Sequence, residues 1–221
     1  MNGSTGYALC GDFYDKESTA AWAISGWFFC AARQTNQVIA SRYVATAGWY
    51  FQNRGDTAGF AFEMFGNTGA GGSGGVRMSY AYEKTQNTGR WCHVVCNVAA
   101  TKNQTAVYLN NVALSAVQNQ NDISGTCLGG ASVFGLGART AGVSPLKGGL
   151  ANMRIHSRVL TTAEIADLYY DDKAVAVDSH WKFSEGSGTL LEDSVGNADG
   201  TITTPVWSAT NVPRPLRTTA T

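Results

Sequence analysis

One segment of this chain carries convincing helix signals, and the rest of the sequence must therefore be built from strands and turns. Thr161 can cap the first free backbone N–H groups of a helix, and Glu164, three residues later, can reach back to the N–H of Thr161. Leu160 and Ile165 occupy the two positions of a hydrophobic staple across the same helix start. This spacing predicts a short helix over residues 161–170.

Short runs with the two-residue period of strands fill most of the remaining chain. Within residues 148–156, Met153 and Ile155 alternate with Asn152, Arg154 and His156, as in a half-buried strand. Residues 21–31 are apolar on both faces, which is typical of a central strand covered on both sides. About a dozen such runs recur at spacings of roughly 8–15 residues. Together with 26 glycines and 14% charged residues, they predict an all-β fold: a two-sheet antiparallel jelly-roll sandwich with one short helix near residues 161–170.

The charge balance and the cysteines limit the partners and the cellular location. Lysine plus arginine equals aspartate plus glutamate at 16 each, so no overall field would draw the chain to nucleic acid or to an anionic membrane. No apolar run approaches the roughly 18 residues that span a bilayer, so no membrane insertion is expected. The five cysteines are an odd number, and we interpret them as buried thiols of a protein assembled in a reducing cytoplasm. No signal peptide opens the sequence.

Two longer motifs lie in the second half of the chain. The first follows the pattern G.I.dvRIynRaLs..EI..LY and comprises Gly149, Met153-Arg154-Ile155, Arg158, Leu160, Glu164-Ile165 and Leu168-Tyr169. The second follows W.f.EGsGt...DssGn...G and comprises Trp181, Phe183, Glu185-Gly186-Ser187-Gly188-Thr189, Asp193-Ser194, Gly196-Asn197 and Gly200. In these motifs the chain resembles the laminin-G-like domains of the concanavalin A-like lectin/glucanase superfamily. The resemblance covers essentially residues 1–207 and implies the same jelly-roll sandwich.

The order of the two motifs differs from that of the family. The Trp181 motif normally opens such a domain, whereas here it follows the helix. We predict a circularly permuted sandwich, a single domain over residues 1–207 in which residues 181–207 fill the strand position left vacant at the N-terminus. The alternative is a truncated second repeat. Residues 208–221 contain two arginines and no acidic residue, which predicts an extended basic tail.

The superfamily includes glycoside hydrolases, whose chemistry needs two carboxylates that face one cleft. No strand of this chain carries such a pair: Glu63 is alone in its strand, Glu83 stands at a strand end and Glu164 is engaged in capping. The sequence therefore predicts a protein that is not an enzyme, with no catalytic or cofactor-binding residues and no required cofactor.

The resemblance implies a possible calcium site, because jelly rolls of this superfamily often bind calcium through oxygen atoms of their loops. Asp193, Asn197 and Asp199 offer hard oxygen ligands at close spacing, and they are the candidate calcium ligands. The alternative is a turn in which Asp and Asn side chains bond their own backbone.

Carbohydrate binding would require exposed aromatic rings beside amide or charged groups. The candidate residues lie on or beside predicted strands and are Trp49, Tyr50, Asn53, Arg54, Tyr80 and Tyr82. The alternative is that these alternating aromatic side chains belong to the core.

Two functional hypotheses arise from these features. The first is a non-enzymatic structural module, a virion (phage capsid) decoration or cement protein at the virion surface, which binds a protein lattice or like subunits and forms homo-oligomers. Its anchoring candidates are Pro213, Arg214, Pro215 and Arg217. The alternative is a lectin-like module that binds glycans outside the cell.

Overall fold

The computed structural model describes residues 6–14, 20–32, 34–44, 47–54, 59–65, 75–81, 88–101, 104–121, 132–170, 173, 175–208, 212 and 215–216. Within these residues the strands are β1 Tyr7–Leu9, β2 Trp22–Cys30, β3 Asn36–Val44, β4 Ala47–Arg54, β5 Gly59–Phe65, β6 Gly75–Ala81, β7 Trp91–Val98, β8 Ala106–Leu109, β9 Val112–Ala113, β10 Ala116–Asn121, β11 Phe134–Leu136, β12 Gly148–His156, β13 Ser179–Trp181, β14 Leu190–Leu191 and β15 Gly200–Thr203. Helix α1 spans Thr162–Tyr170. None of the described helices is long and apolar enough to cross a membrane.

The strands form two antiparallel sheets that enclose the core. The nine-stranded sheet has the order β10-β6-β5-β4-β3-β11-β1-β15-β14, and the six-stranded sheet has the order β13-β12-β2-β7-β8-β9. The predicted all-β sandwich with one short helix is confirmed. Each sheet has an inner face toward this core and an outer face turned away from it.

Strand β2 is central and is buried on both faces, as its sequence predicts. It pairs with β12 on one side and with β7 on the other. Its Trp22, Ile24 and Phe28 side chains enter the core between the sheets. On the outer face, Ala23 packs in a second cluster beneath α1 that also contains Ile165.

The helix start has the predicted capping geometry. The backbone N–H of Thr161 donates to Glu164 Oε2 at 2.9 Å, and the backbone N–H of Glu164 donates to Thr161 Oγ1 at 3.3 Å. Leu160 and Ile165 are buried in the same cluster, so both the capping box and the hydrophobic staple are confirmed. Arg158 adds a contact that the local pattern did not predict, because its Nη1 donates to Glu164 Oε2 at 2.9 Å.

Strands β2 and β12 approach each other so closely that one position admits only glycine. A Cβ atom added to Gly148 would lie 1.5 Å from the backbone oxygen of Phe29. The absent side chain therefore allows the first residues of β12 to pair with the end of β2.

The segment after the helix adds strands to both sheets. Strand β13 pairs with β12, while β15 pairs with β1 and with β14. Trp181, Leu191 and Ile202 from this segment are buried in the main core. Circular permutation as the origin of this arrangement stays a prediction.

Four of the cysteines lie within the described residues, and all four are buried free thiols: Cys10, Cys30, Cys92 and Cys96. Burial raises the pKa of Cys92 to about 11, which suppresses the reactive thiolate. These four side chains therefore behave as small core residues, as the sequence predicts, whereas Cys127 lies outside the described residues.

Candidate functional site

Three of the predicted glycan-binding residues are held in the protein interior. Trp49 is buried, and its Nε1 donates to the backbone oxygen of Tyr14 at 3.2 Å. Tyr80 is buried, and its hydroxyl donates to the backbone oxygen of Thr105. Asn53 is buried beside Cys30, whose Sγ lies 3.6 Å from its Nδ2. These three side chains therefore offer no open surface to a ligand.

Of the other predicted glycan-binding residues, Tyr50 and Arg54 lie within the described part of the chain. Because Trp49 and Phe51 face the core, the intervening Tyr50 points to the outer face of the nine-stranded sheet. Arg54 is half-buried at the end of β4, and Tyr82 lies outside the described residues. A glycan-binding role for Tyr50 and Arg54 stays a prediction.

Tyr50 belongs to a buried polar network on that outer face. Its hydroxyl donates to Glu63 Oε2 at 2.8 Å, and Gln52 Nε2 donates to Glu63 Oε1 at 2.9 Å. The Arg139 guanidinium lies 5.4 Å from the centre of the Tyr50 ring and 5.5 Å from that of Tyr43. Both carboxylate oxygens of Glu63 are thus engaged in bonds that join β4 to β5.

The predicted calcium residues form a tightly bonded turn. The Asp193 carboxylate accepts hydrogen bonds from five donors, which are the Ser179 hydroxyl and the backbone N–H groups of His180, Val195, Gly196 and Ala198. Asp199 Oδ1 accepts a hydrogen bond from the backbone N–H of Asp193 at 2.7 Å, and Asn197 is exposed. These hydrogen bonds are those of a turn stabilised by its own Asp side chains, which is the alternative to a calcium site described in the sequence analysis.

The electrostatics of Asp193 agree with this geometry. Burial raises the pKa of its carboxyl group, but the hydrogen bonds from Ser179, His180, Gly196 and Ala198 lower it by more, and the pKa ends below its ordinary value. Among the described residues, no group of three or more His, Cys, Asp or Glu side chains is placed to hold a metal ion. Calcium binding at Asp193, Asn197 and Asp199 stays a prediction.

Of the predicted anchoring residues, Pro215 lies within the described part of the chain and is half-buried. Pro213, Arg214 and Arg217 lie outside it.

A pocket of about 290 Å³ opens beside the first half of β12. Strand β13 pairs only with residues 153–155 of β12, so residues 148–151 have β2 as their paired strand in the described sheet. We call this cavity the aromatic pocket. Its lining residues are Phe29, Trp91, Gly149, Leu150, Ala151, Phe183, Ile202, Pro205, Val206, Trp207 and Ser208.

Two of the four aromatic rings come from the six-stranded sheet. Phe29 of β2 and Trp91 of β7 are directly paired, and their ring centres lie 5.8 Å apart. Their neighbours Phe28 and Cys92 face the core, so Phe29 and Trp91 project from the outer face. Both are half-buried, which leaves part of each ring open to a ligand.

The third ring, Phe183, is brought to the pocket by an irregular piece of backbone. Strand β12 contains a bulge between Ala151 and Arg154, and Asn152 within it has a φ of +49°. The backbone N–H of Asn152 donates to the oxygen of Lys182 at 3.3 Å. Phe183 follows with a φ of +60°, a conformation that costs a non-glycine residue about 1–2 kcal/mol. Bulges and strained residues of this kind are frequent beside functional sites.

The fourth ring, Trp207, is fixed by its own polar edge. Its Nε1 donates to the backbone oxygen of Gly188 at 2.9 Å. This bond sets the orientation of the indole ring, while Pro205 restricts the backbone that carries it. The ring is half-buried at the pocket.

The aromatic pocket was not predicted from the sequence. The pattern shows that Phe29 and Trp91 lie on the face opposite the core residues of their strands. It does not show that residues 205–208 line one cavity with Phe29 and Trp91. The signal that could have indicated it is a tryptophan with a neighbouring proline in the segment after the second motif, Pro205 and Trp207.

Comparison with known proteins identifies the fold family. The model of the concanavalin A-like lectin/glucanases superfamily matches residues 2–166, which ends before β13. No curated protein matches the chain significantly.

Two solved structures have the same fold at low sequence identity. The first is from Bacteroides ovatus, and its assignment as a carbohydrate-binding protein is itself a proposal; it has a TM-score of 0.60 and 15% identity. The alignment covers 91% of this chain and 56% of that one, so the chain spans a little over half of that protein's length. The second is domain 4 of a GH43 extracellular arabinanase, AbnA from Geobacillus stearothermophilus, in complex with arabinotriose. It has a TM-score of 0.55 and 18% identity, and the alignment covers 76% of this chain and 74% of that one.

Proposed function

Because the chain belongs to the concanavalin A-like lectin/glucanases superfamily, we propose that it is a carbohydrate-binding module and that the aromatic pocket is its binding site. The observation that carries this proposal is the presence of four aromatic side chains, Phe29, Trp91, Phe183 and Trp207, around one small cavity. Ligand sites are usually concave and mostly apolar, with a few polar groups that orient the ligand.

The chemistry of a sugar ring suits such a cavity. One face of a pyranose or furanose ring presents C–H groups, which pack against the negatively polarised face of an aromatic ring. The hydroxyl groups at the edge of the sugar can then stay in water or meet the polar groups of the lining, which includes Ser208. Since Trp207 is held by its bond to Gly188, little conformational freedom is lost when a ligand binds.

The two structural neighbours support the proposal at the level of the fold. The arabinanase domain was solved with arabinotriose, and the Bacteroides ovatus protein is proposed to bind carbohydrate. A shared fold does not transfer a function by itself. The geometry of the aromatic pocket is therefore the stronger support.

We propose binding without catalysis. Glycoside hydrolysis needs an acid and a second carboxylate on either side of the scissile bond. The described lining of the aromatic pocket includes no Asp or Glu. Glu63 lies in β5 of the nine-stranded sheet and does not line the pocket. One of its carboxylate oxygens accepts from Tyr50 and the other from Gln52.

The test is a glycan screen with the full chain, followed by calorimetry on each sugar that binds. Trp207→Ala and Trp91→Ala should each weaken binding at least about tenfold, as loss of a buried aromatic contact typically does. Trp207→Phe keeps a ring and should retain most of the affinity. Phe13→Ala is the matched control, because Phe13 is an exposed aromatic residue outside the pocket lining.

Two results would contradict the proposal: no glycan binds, or binding persists in both tryptophan-to-alanine variants while their melting temperatures stay near that of the wild type. The virion-decoration role, a protein lattice, homo-oligomers and a virion-surface location are separate predictions. They are supported by neither the comparisons nor the contacts among the described residues, and they stay predictions.

A further inference from the structure

We infer that the aromatic pocket selects uncharged sugars and discriminates against sugars that carry a carboxylate, sulfate or phosphate. This inference rests on the proposed carbohydrate-binding function and concerns the class of ligand that the same site accepts. It follows from which groups line the cavity.

The described lining offers no charged side chain to a ligand. It consists of aromatic, aliphatic and small residues, of which Ser208 carries a neutral polar side chain. The polar edge of Trp207 is already bonded to the Gly188 oxygen. An anionic group that entered the pocket would lose its hydration and gain no cationic partner from the lining, which is strongly unfavourable.

The nearest charged residues along the chain do not line the pocket. Arg90 precedes Trp91 and Lys182 precedes Phe183, and both Arg90 and Lys182 are exposed. Neither belongs to the pocket lining. In solvent, their attraction for an anion is reduced by water and salt.

The residues that β12 contributes to the pocket include two small ones, Gly149 and Ala151. Gly149, which has no side chain, pairs with Phe29, and Ala151 follows two residues later in β12, so β12 places little side-chain bulk beside the Phe29 ring. A hydroxylated ring can rest its C–H face there and keep its hydroxyl groups at the rim. An acidic substituent that entered deeply would meet Leu150 and Ile202, which line the pocket and are buried in the main core.

The experiment compares matched neutral and acidic glycans by calorimetry on the full chain. The neutral probes are arabinotriose, lactose and galactotriose together with any neutral glycan found by array. The acidic probes are 3′-sialyllactose, trigalacturonic acid and a sulfated form of each neutral binder. A neutral probe should bind at least about tenfold more tightly than its acidic counterpart. The ratio should change little between 50 mM and 500 mM NaCl, because it arises from desolvation and not from long-range charge.

A gain-of-function variant separates selectivity from folding. Ala151→Lys places a cation at the pocket and should improve binding of the acidic probe relative to the neutral one by at least about tenfold. Ala151→Met, of similar length but uncharged, should leave the wild-type preference unchanged. Melting temperatures within a few degrees of the wild type show that both variants are folded.

The outcomes distinguish this inference from the proposed function. If acidic glycans bind as tightly as neutral ones, and Trp91→Ala and Trp207→Ala abolish that binding, the selectivity is wrong while the binding function stands. If acidic binding depends on Lys182 or Arg90, shown by its loss in Lys182→Gln or Arg90→Gln, the inference also fails. If no glycan binds at all, the proposed function fails and the inference fails with it.

Discussion

Asp193 Oδ1 accepts a hydrogen bond from the backbone N–H of His180 at 2.9 Å, and this bond joins the two sheets at one edge. His180 lies in β13 of the six-stranded sheet, whereas Asp193 follows β14 of the nine-stranded sheet. The hydroxyl of Ser179 donates to the same carboxylate. A single side chain therefore fastens the segment that carries Trp181 to the segment that leads to Trp207.

Replacing Asp193 should destabilise the protein substantially. In Asp193→Asn, the amide nitrogen would meet backbone N–H groups that need an acceptor. Hydrogen bonds to charged groups contribute about 1.5–3 kcal/mol each, and buried donors left without an acceptor are costly. We expect the free energy of unfolding, measured by urea denaturation, to fall by about 2–4 kcal/mol.

Asn197→Ala is the matched control for Asp193, because Asn197 lies in the same turn and is exposed. It should change the free energy of unfolding by less than about 0.5 kcal/mol. Equal losses in Asp193→Asn and Asn197→Ala would contradict the assigned role of the carboxylate.

His156 should make stability depend on pH. Burial lowers the pKa of its imidazole, and the hydrogen bond to the Ala176 oxygen offsets this only in part. The lowered pKa favours a neutral ring in the folded state; in that form Nδ1–H donates to Ala176 O at 2.9 Å and Nε2 accepts from the Ser25 hydroxyl at 3.1 Å. In the unfolded state the pKa is about 6.5.

The sign of the effect follows from that difference. Below about pH 6.5 the unfolded chain binds a proton at His156 more readily than the folded chain does. The stability that the neutral His156 ring contributes is therefore present above pH 6.5 and is lost as pH falls. We expect the free energy of unfolding to decrease between pH 7.5 and pH 5.5, and His156→Gln to flatten that decrease. An unchanged pH profile in His156→Gln would show that other groups cause it.

Gly148→Ala should disturb both the fold and the pocket. The added Cβ would lie 1.5 Å from the Phe29 oxygen, so β2 and β12 would have to separate. Overpacking of this kind costs about 1–3 kcal/mol. We expect the free energy of unfolding, measured by urea denaturation, to fall by an amount near the upper end of that range, and sugar binding to weaken. Gly186→Ala is the comparison, since its Cβ would meet nothing within 4 Å and its φ of +74° adds only local strain. A smaller loss in Gly148→Ala than in Gly186→Ala would contradict the close approach of the strands.

Phe183 allows binding to be separated from backbone strain. Asn adopts positive φ more readily than Ala, so Phe183→Asn should be more stable than Phe183→Ala by about 0.5–1 kcal/mol in thermal or urea unfolding. Both variants lose the ring and should bind sugar at least about fivefold more weakly than the wild type. If either variant binds as tightly as the wild type, the Phe183 ring does not contribute to the site.

Local and motif-level features of this fold were accessible from the sequence. Thr161 and Glu164 are three residues apart, and their mutual hydrogen bonds depend on nothing outside one turn. The burial of β2 on both faces likewise follows from its own sequence. Successive side chains of a strand point to opposite faces, and those of β2 are mostly apolar on both. For Asp193, two interpretations were open from the sequence, because the same side chain suits a cation or a turn.

The candidate site was not accessible in this way, for physical reasons. Alternation assigns Trp49 and Trp91 to faces of strands, but it does not say which face another segment covers. Trp49 lies against Trp22, with ring centres 4.6 Å apart, inside the sandwich, while Trp91 faces outward into the pocket. The pocket depends on where β13 stops pairing and on the bulge near Asn152. Both are set by tertiary packing.

The position of β1 between β11 and β15 has a consequence for how the protein folds. Ala8 pairs with Ile202, so one of the first strands needs one of the last as its partner. Closing the loop between residues 8 and 202 costs conformational entropy, and folds dominated by such distant pairings fold slowly. During synthesis on the ribosome, β1 must remain without one of its two partners until residues 201–203 have been made. The Trp207 wall of the pocket forms only after that step.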